Sequence, residues 1–221
     1  RNSPAQYVCD YKMLNALDYG VPQDRSRIFL VGVKPQLFEK HFGRQPMPDE
    51  QDWFIWPSPK YPDARGNYQW PEAVRRLKEE PAKPYGIPEE LMAGVYLNGN
   101  NPPQSRPNGN DEFRPLSHRF KTTKEGDISH KSFKRLHRWR YSPTAAYGNN
   151  EVHLHPWEDR RMSVREVMRI QSVPDEYVLP SEMTLTAKFK IVANGVPFLL
   201  ATSVAKATHT FLFHSQSPSV A

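Results

Sequence analysis

The sequence predicts an α/β fold interrupted by an irregular, mostly β lobe. Three observations carry that expectation. Ile28-Phe29-Leu30-Val31-Gly32-Val33 is an uninterrupted apolar run, the pattern of a strand covered on both faces. From Arg161 to Phe213, apolar residues recur at helical spacing behind a clear helix start. Between these zones, from about Lys34 to Pro156, the chain is rich in Pro, Asn, Gly, Trp and Tyr, a texture of irregular backbone. The simplest architecture joins the two ordered ends into one domain, at 1–36 and 159–213, and inserts 37–158 as a separate lobe, leaving 214–221 as a tail.

Each element has a local reason. Tyr7, Cys9, Tyr11 and Met13 alternate with Val8, Asp10, Lys12 and Leu14, a strand with one better-buried face, in which Cys9 reads as a core thiol. Asn15 to Gln23 is a turn marked by Asp18, Gly20 and Pro22. Pro71 to Lys78 fits a short helix with Pro at its first position. Leu97 to Asp111 is a long loop, and strands are expected near Tyr141–Ala146 and Glu151–Leu154. Ser163-Val164-Arg165-Glu166 is a capping box that opens a helix ending before Pro174. A second helix covers Thr184 to Val192, and a third starts near Pro197 with Leu200, Val204, Ala207 and Phe211 on one face.

Composition narrows the classes. Lys and Arg number 30 against 24 acidic residues, giving a net charge of +6. That is compatible with a polyanionic partner, and equally with weak charge for solubility. Hydrophobic residues make up 38% and prolines number 22, so the core is limited and irregular backbone abundant. A single Cys excludes an intramolecular disulfide framework and a multi-cysteine zinc site. No apolar stretch approaches the ~18–20 residues that span a bilayer. These features point to a cytoplasmic chain with no membrane association. The first residue is Arg1 rather than Met, which fits a processed chain or a fragment.

Two constellations carry chemistry. Arg25 and Arg27 stand at i and i+2 where a turn enters the apolar strand, a spacing that Gln23 shares and that sends side chains to one side. Three fork-shaped hydrogen-bonding groups suit phosphate oxygens and a base edge; the alternative is an Arg pair tied to Asp18 or Asp24. In His130 to Tyr141, Lys131, Lys134, Arg135, Arg138 and Arg140 interleave with Phe133, Trp139 and Tyr141, and Arg119, Lys121 and Lys124 extend the positive stretch upstream. Cations contact phosphates and aromatics stack, although a solvated basic loop reads the same way. His153 and His155 lie two apart with no third ligand nearby, so no metal site is expected.

The string Asn15-Ala16-Leu17-Asp18-Tyr19-Gly20-Val21-Pro22-Gln23-Asp24-Arg25-Ser26-Arg27, followed by IFLVGV, resembles the eighth motif of the cytosine-5 DNA methyltransferases. Arg160 to Tyr177 is similar to that family's ninth motif, and Ala193 to Ala201 to its tenth, in the family's order. The resemblance covers about residues 6–33 and 139–210. It implies the C-terminal portion of a Rossmann-like methyltransferase sheet carrying an inserted target-recognition lobe. Gln23, Arg25 and Arg27 would line the pocket for a cytosine rotated out of the duplex. Asn194, Gly195 and Val196 would lie beside S-adenosylmethionine, with Ala193 in place of a usual Gly. Arg161, Ser163, Arg165 and Glu166 would brace the lobe, and Thr144 would contact the backbone near the target base. The family's Pro-Cys loop, Glu-Asn-Val motif and Gly-rich cofactor turn are absent from this sequence. The expectation is therefore a truncated enzyme, or one polypeptide of a split one, inactive until an N-terminal catalytic half supplies the cysteine, the glutamate and most of the cofactor site. The alternatives are a non-catalytic DNA-binding module and a relative that methylates tRNA.

Overall fold

The computed structural model describes residues 7–74, 80–98, 101–114, 117–145 and 151–213. The chain divides into two compact units. The first comprises residues 1–14, 26–59 and 201–221, and the second 15–25 and 60–200. The expected boundaries at residues 36 and 158 fall inside these units.

In the first unit, β1 (Val8–Asn15) and β3 (Ser26–Val33) form a two-stranded sheet. Helix α1 (Pro35–Phe42) follows, with Pro at its first position and Gly43 closing it at φ 67°; Gly takes that left-handed turn without strain. One face of the sheet packs on an aromatic cluster of Phe38, Trp53 and Phe54, joined by Ala207 and Phe211 of α6 (Phe198–Phe213). Asp10 is buried there, and its carboxylate accepts the Phe54 amide at 2.9 Å, which satisfies that amide. The opposite face is open: Tyr11, Met13, Ile28 and Leu30 are exposed, Ile28 by 72% and Leu30 by 69%. The expected alternation is present, but the expected cover on both faces is not, since these four side chains stay exposed. Cys9 points to that open face, so it is not the core thiol expected.

In the second unit, the Asn15 side chain caps a 3₁₀ turn over Ala16–Tyr19. Strand β2 (Gln23–Asp24) pairs in parallel with β4 (Ser142–Pro143), the part of the expected Tyr141–Ala146 strand that forms. Short helices α2 (Ala64–Asn67) and α3 (Arg119–Thr122) stand in the irregular region. Helix α4 (Val164–Ile170) carries the capping box and stops before Pro174, as its sequence predicts. Helix α5 (Leu185–Asn194) has Thr184 as its N-cap. The larger core joins Leu136, Val152 and Met162 to the inner faces of α4 and α5; a smaller one holds Leu17, Ala64, Leu91 and Tyr141.

Two local expectations fail here, and a third falls largely outside the described residues. Residues 71–73 form no helix and Val74 instead bridges Glu125, while 75–79 lie outside the described residues. Glu151–Leu154 is not a strand: only Leu154 bridges, to Arg135 and Arg161. The lobe is accordingly not mostly β among the described residues; buried arginines bonded to carbonyls take over much of the work a ladder would do. No single helix among the described residues is long and apolar enough to cross a membrane.

Candidate functional site

The turn from Asn15 to Arg25 is built around one side chain. Asn15 Oδ1 accepts the amides of Leu17 and Arg25 at 3.1 and 3.2 Å, and its Nδ2 donates to Asp24 Oδ1 at 2.7 Å. Gly20 sits at φ 84°, where a Cβ would meet Glu90 Oε1 at 3.1 Å, so both conformation and space call for glycine. The turn delivers Gln23 to the interior with 0% exposure, and neither its Nε2 nor its Oε1 has a hydrogen-bond partner. The parallel bridge sets Gln23 against Ser142 and Asp24 against Pro143, and Thr144 Oγ1 donates to the Asp24 carbonyl at 2.9 Å. Gln23 and Thr144, 121 positions apart by number, thus belong to one small construction.

Arg25 does something the sequence did not suggest. It is 1% exposed, and its Nη2 donates to the carbonyls of Ala193 and Gly195 at 2.6 and 2.8 Å. The guanidinium grips the end of α5, so the expected pocket-lining role becomes a clamp behind the turn that presents Asn194, Gly195 and Val196. Asn194 and Val196 face outward from that turn. Gln171 Nε2 adds a bond to the Val192 carbonyl at 2.8 Å. Ala193 lies within α5, where alanine is a favoured residue, so no glycine is needed there. Arg27 lies in the first unit, partly exposed, and donates to the Ser26 carbonyl at 2.6 Å. The acidic alternatives are engaged elsewhere: Asp24 pairs with Arg65 at 3.2 Å, and Asp18 accepts the Ala64 amide at 3.0 Å.

The four bracing residues gather around α4. The Glu166 carboxylate accepts the Ser163 amide at 2.7 Å, Gln104 Nε2 at 3.0 Å and a bidentate pair from Arg160 at 2.8 and 2.6 Å. Burial works against the Arg160 charge, but its bonds to Glu166 and Glu158 prevail and raise its pKa. Arg165 is fully buried and donates to the carbonyls of Pro107, Pro174 and Tyr177. Arg161 lies over the rings of Phe120 and Phe133, 5.1 and 5.5 Å from their centroids. Arg160 was not singled out by sequence; its partner stands six positions on, off any helical spacing that would have signalled it.

The basic segment divides. Arg135 is 0% exposed, and its guanidinium reaches the carbonyls of Phe120, Thr123, His155 and Glu158. Arg138 is buried against Glu125, with bonds of 2.9 and 3.0 Å, and stacks on Trp157. These two are scaffold, a correction to their expected place on DNA. Arg140 lies over Tyr141, partly exposed. Lys131 is exposed beside Glu151 at 3.2 Å, and Lys134 is partly exposed. His153 and His155 are buried. Burial and the neighbouring Lys134 push His153 down to about 4; burial and Arg160, Arg135 and Arg138 push His155 down to about 2. His155 Nε2 lies 3.7 Å from Glu166 Oε1, but the ring is neutral at physiological pH, so this is not an ion pair.

A family model described as C-5 cytosine-specific DNA methylase matches residues 3–210. Type II methyltransferase M.NmeDI of Neisseria meningitidis serogroup C is 46% identical over 211 residues, which are 93% of this chain and 47% of that protein. Type II methyltransferase M.MthTI of Methanothermobacter thermautotrophicus is 27% identical over 90% of this chain and 56% of its own length. Type II methyltransferase M.AquIB of Picosynechococcus is 28% identical over 126 residues, which are 52% of this chain but 90% of that protein. The chain thus spans about half the length of the first two relatives. Among solved structures, the Dnmt2 methyltransferase of S. pombe aligns over 94% of this chain and 57% of its own, at 12% identity and a TM-score of 0.48. On a family pattern that runs through nearly all of its residues, the chain belongs to the C-5 cytosine-specific DNA methylases.

Proposed function

We propose that this chain is the target-recognition and closing part of a DNA cytosine-5 methyltransferase of the restriction–modification kind, taking duplex DNA as substrate and S-adenosylmethionine as methyl donor. The observation that carries the reading is the family pattern over residues 3–210, and the Gln23 amide, buried with both polar atoms unmatched within this chain, adds to it. An unsatisfied buried polar group costs about 1–3 kcal/mol, and a native chain keeps one where a ligand or water completes it. A carboxamide offers one donor side and one acceptor side, the pattern a cytosine edge complements. Arg27 would hold the extruded nucleotide or its phosphate, and Thr144 would face the neighbouring backbone. Asn194, Gly195 and Val196 would lie against S-adenosylmethionine, which supplies the methyl group when bound, while Arg25 keeps their turn in place. The target-recognition region would lie within 37–158.

The cysteine that adds to carbon 6 and the glutamate that supports charge at ring nitrogen 3 would come from an N-terminal catalytic half, so this chain by itself would be inactive. Two observations favour that partner. Relatives are about twice as long as the matched region, and the exposed residues Tyr11, Met13, Ile28 and Leu30 form an apolar sheet face of the kind a protein partner covers. That a relative of 90% coverage is matched by only 126 residues fits a separate polypeptide. Such an enzyme would work in the cytoplasm, at the nucleoid.

The test is reconstitution. This chain is mixed with the N-terminal half from the same system, and transfer of labelled methyl to duplex DNA is measured. Activity is expected only in the mixture, with a loss of 100-fold or more on Gln23→Ala or Arg27→Ala, on the order expected for groups that position a reacting centre. Methyl transfer by this chain alone, or indifference to both substitutions, would sink the reading. DNA binding with no activity in any mixture would leave a non-catalytic binding module.

A further inference from the structure

Of the basic residues that a linear reading groups into one positive stretch, the fold buries Arg135 and Arg138 and leaves Arg119, Lys121 and Lys124 exposed. Arg135 and Arg138 spend their donors internally, on carbonyls and on Glu125. What Arg135 holds is informative. Two of its acceptors are the carbonyls of Phe120 and Thr123, at the end of α3. That helix is pinned from within by buried Phe120, which packs edge-on against Phe133, and Thr123 Oγ1 closes its last turn by donating to the Arg119 carbonyl at 2.7 Å. Arg119, Lys121 and Lys124 face outward from this pinned segment. Arg119 rests over the Phe133 ring, 5.9 Å from its centroid, which limits the freedom of its long side chain. Of the neighbouring acids, Glu125 is buried with Arg138, while Asp127 accepts the Ser129 amide and hydroxyl of its own turn and also feels the Lys124 charge. The result is a preorganised positive surface in which Asp127 offsets part of the Lys124 charge and no ion pair to Arg119 or Lys121 forms among the described residues, whereas exposed Lys131 stands beside Glu151 at 3.2 Å.

We propose that Arg119, Lys121 and Lys124 grip the phosphate backbone of duplex DNA, from a segment whose carbonyls Arg135 holds. The inference rests on the methyltransferase reading above, since that reading makes duplex DNA the partner. Three phosphate contacts would steepen the salt dependence of binding by about 0.9 log units per contact. Base identity would be read elsewhere, so these residues would support affinity on any sequence.

The test titrates the 221-residue chain against labelled mixed-sequence duplex DNA at several salt concentrations. In the combined variant Arg119→Ala, Lys121→Ala and Lys124→Ala, affinity is expected to fall tenfold or more at low salt, with the log–log salt slope shallower by about 2–3. Arg119→Lys with Lys121→Arg and Lys124→Arg should keep both, and Lys131→Ala should change affinity less than twofold. Unchanged affinity and slope in the alanine variant, while the parent chain binds duplex DNA, would overturn the inference and leave the methyltransferase reading standing. Failure of the parent chain to bind duplex DNA at low salt, or tighter binding to an RNA hairpin, would overturn both.

Discussion

The two compact units invert the usual sorting of side chains. The first turns large apolar residues outward along one sheet face, Tyr11, Met13, Ile28 and Leu30 among them. The second turns charge inward, with Arg25, Arg135, Arg161 and Arg165 each at most 2% exposed. Neither is random. Apolar surface without cover is what an association partner removes from water. Buried guanidiniums are tolerated because each has neighbouring carbonyls, carboxylates or rings. The lesson is that exposure reports on partners and burial on scaffolding, whatever the chemical label of the residue.

The comparison can be broken most forcefully in the second unit. Arg138→Met removes the cation but leaves Glu125 buried, and breaking such a pair typically costs about 3–5 kcal/mol. A denaturant midpoint that barely moves would show that Glu125 finds water or another donor.

Acidification probes the same interior more gently. His153 and His155 have folded pKa values depressed to about 4 and about 2, against 6.5 for the ordinary group. The unfolded chain therefore binds more protons between those limits. Stability is full above pH 6.5 and declines as pH falls, by up to roughly 1.4 kcal/mol per unit for each histidine. Asp18 and Glu112, whose carboxyls burial pushes up, oppose this in part. The melting temperature should drop from pH 7 to pH 5, and His153→Gln with His155→Gln should flatten that drop. A flat profile in the parent chain would mean the histidines are hydrated.

The smallest effect on folding belongs to the first unit. Ile28→Ser with Leu30→Ser, at exposed strand positions, should shift stability by no more than about 0.5 kcal/mol each. The same change should weaken association with the N-terminal half in sedimentation or co-purification. Intact association would remove the open sheet face from the proposed interface.

Much of the fold was legible where the governing interaction is local. The capping box of Ser163 and Glu166, the stop before Pro174 and the Thr184 helix start depend on residues within a turn of one another. The Asn15–Arg27 string located the candidate site, and the pairing of Gln23 with Ser142 gave it depth that no local pattern could signal. Strands in the lobe were misjudged because alternation at 151–154 competes with long-range bonds from Arg135 and Arg161, and these set the backbone path.

What the sequence determined by itself is the family and the helices whose caps are written within four residues. The tertiary structure alone decided which arginines stay exposed and which are buried on carbonyls. It also decided that Arg25 serves the α5 turn and that the strand at Ile28 keeps an open face. The physical reason is range: capping and periodicity act over a single turn, whereas the burial of a charge depends on acceptors brought from positions as distant as Ala193 is from Arg25.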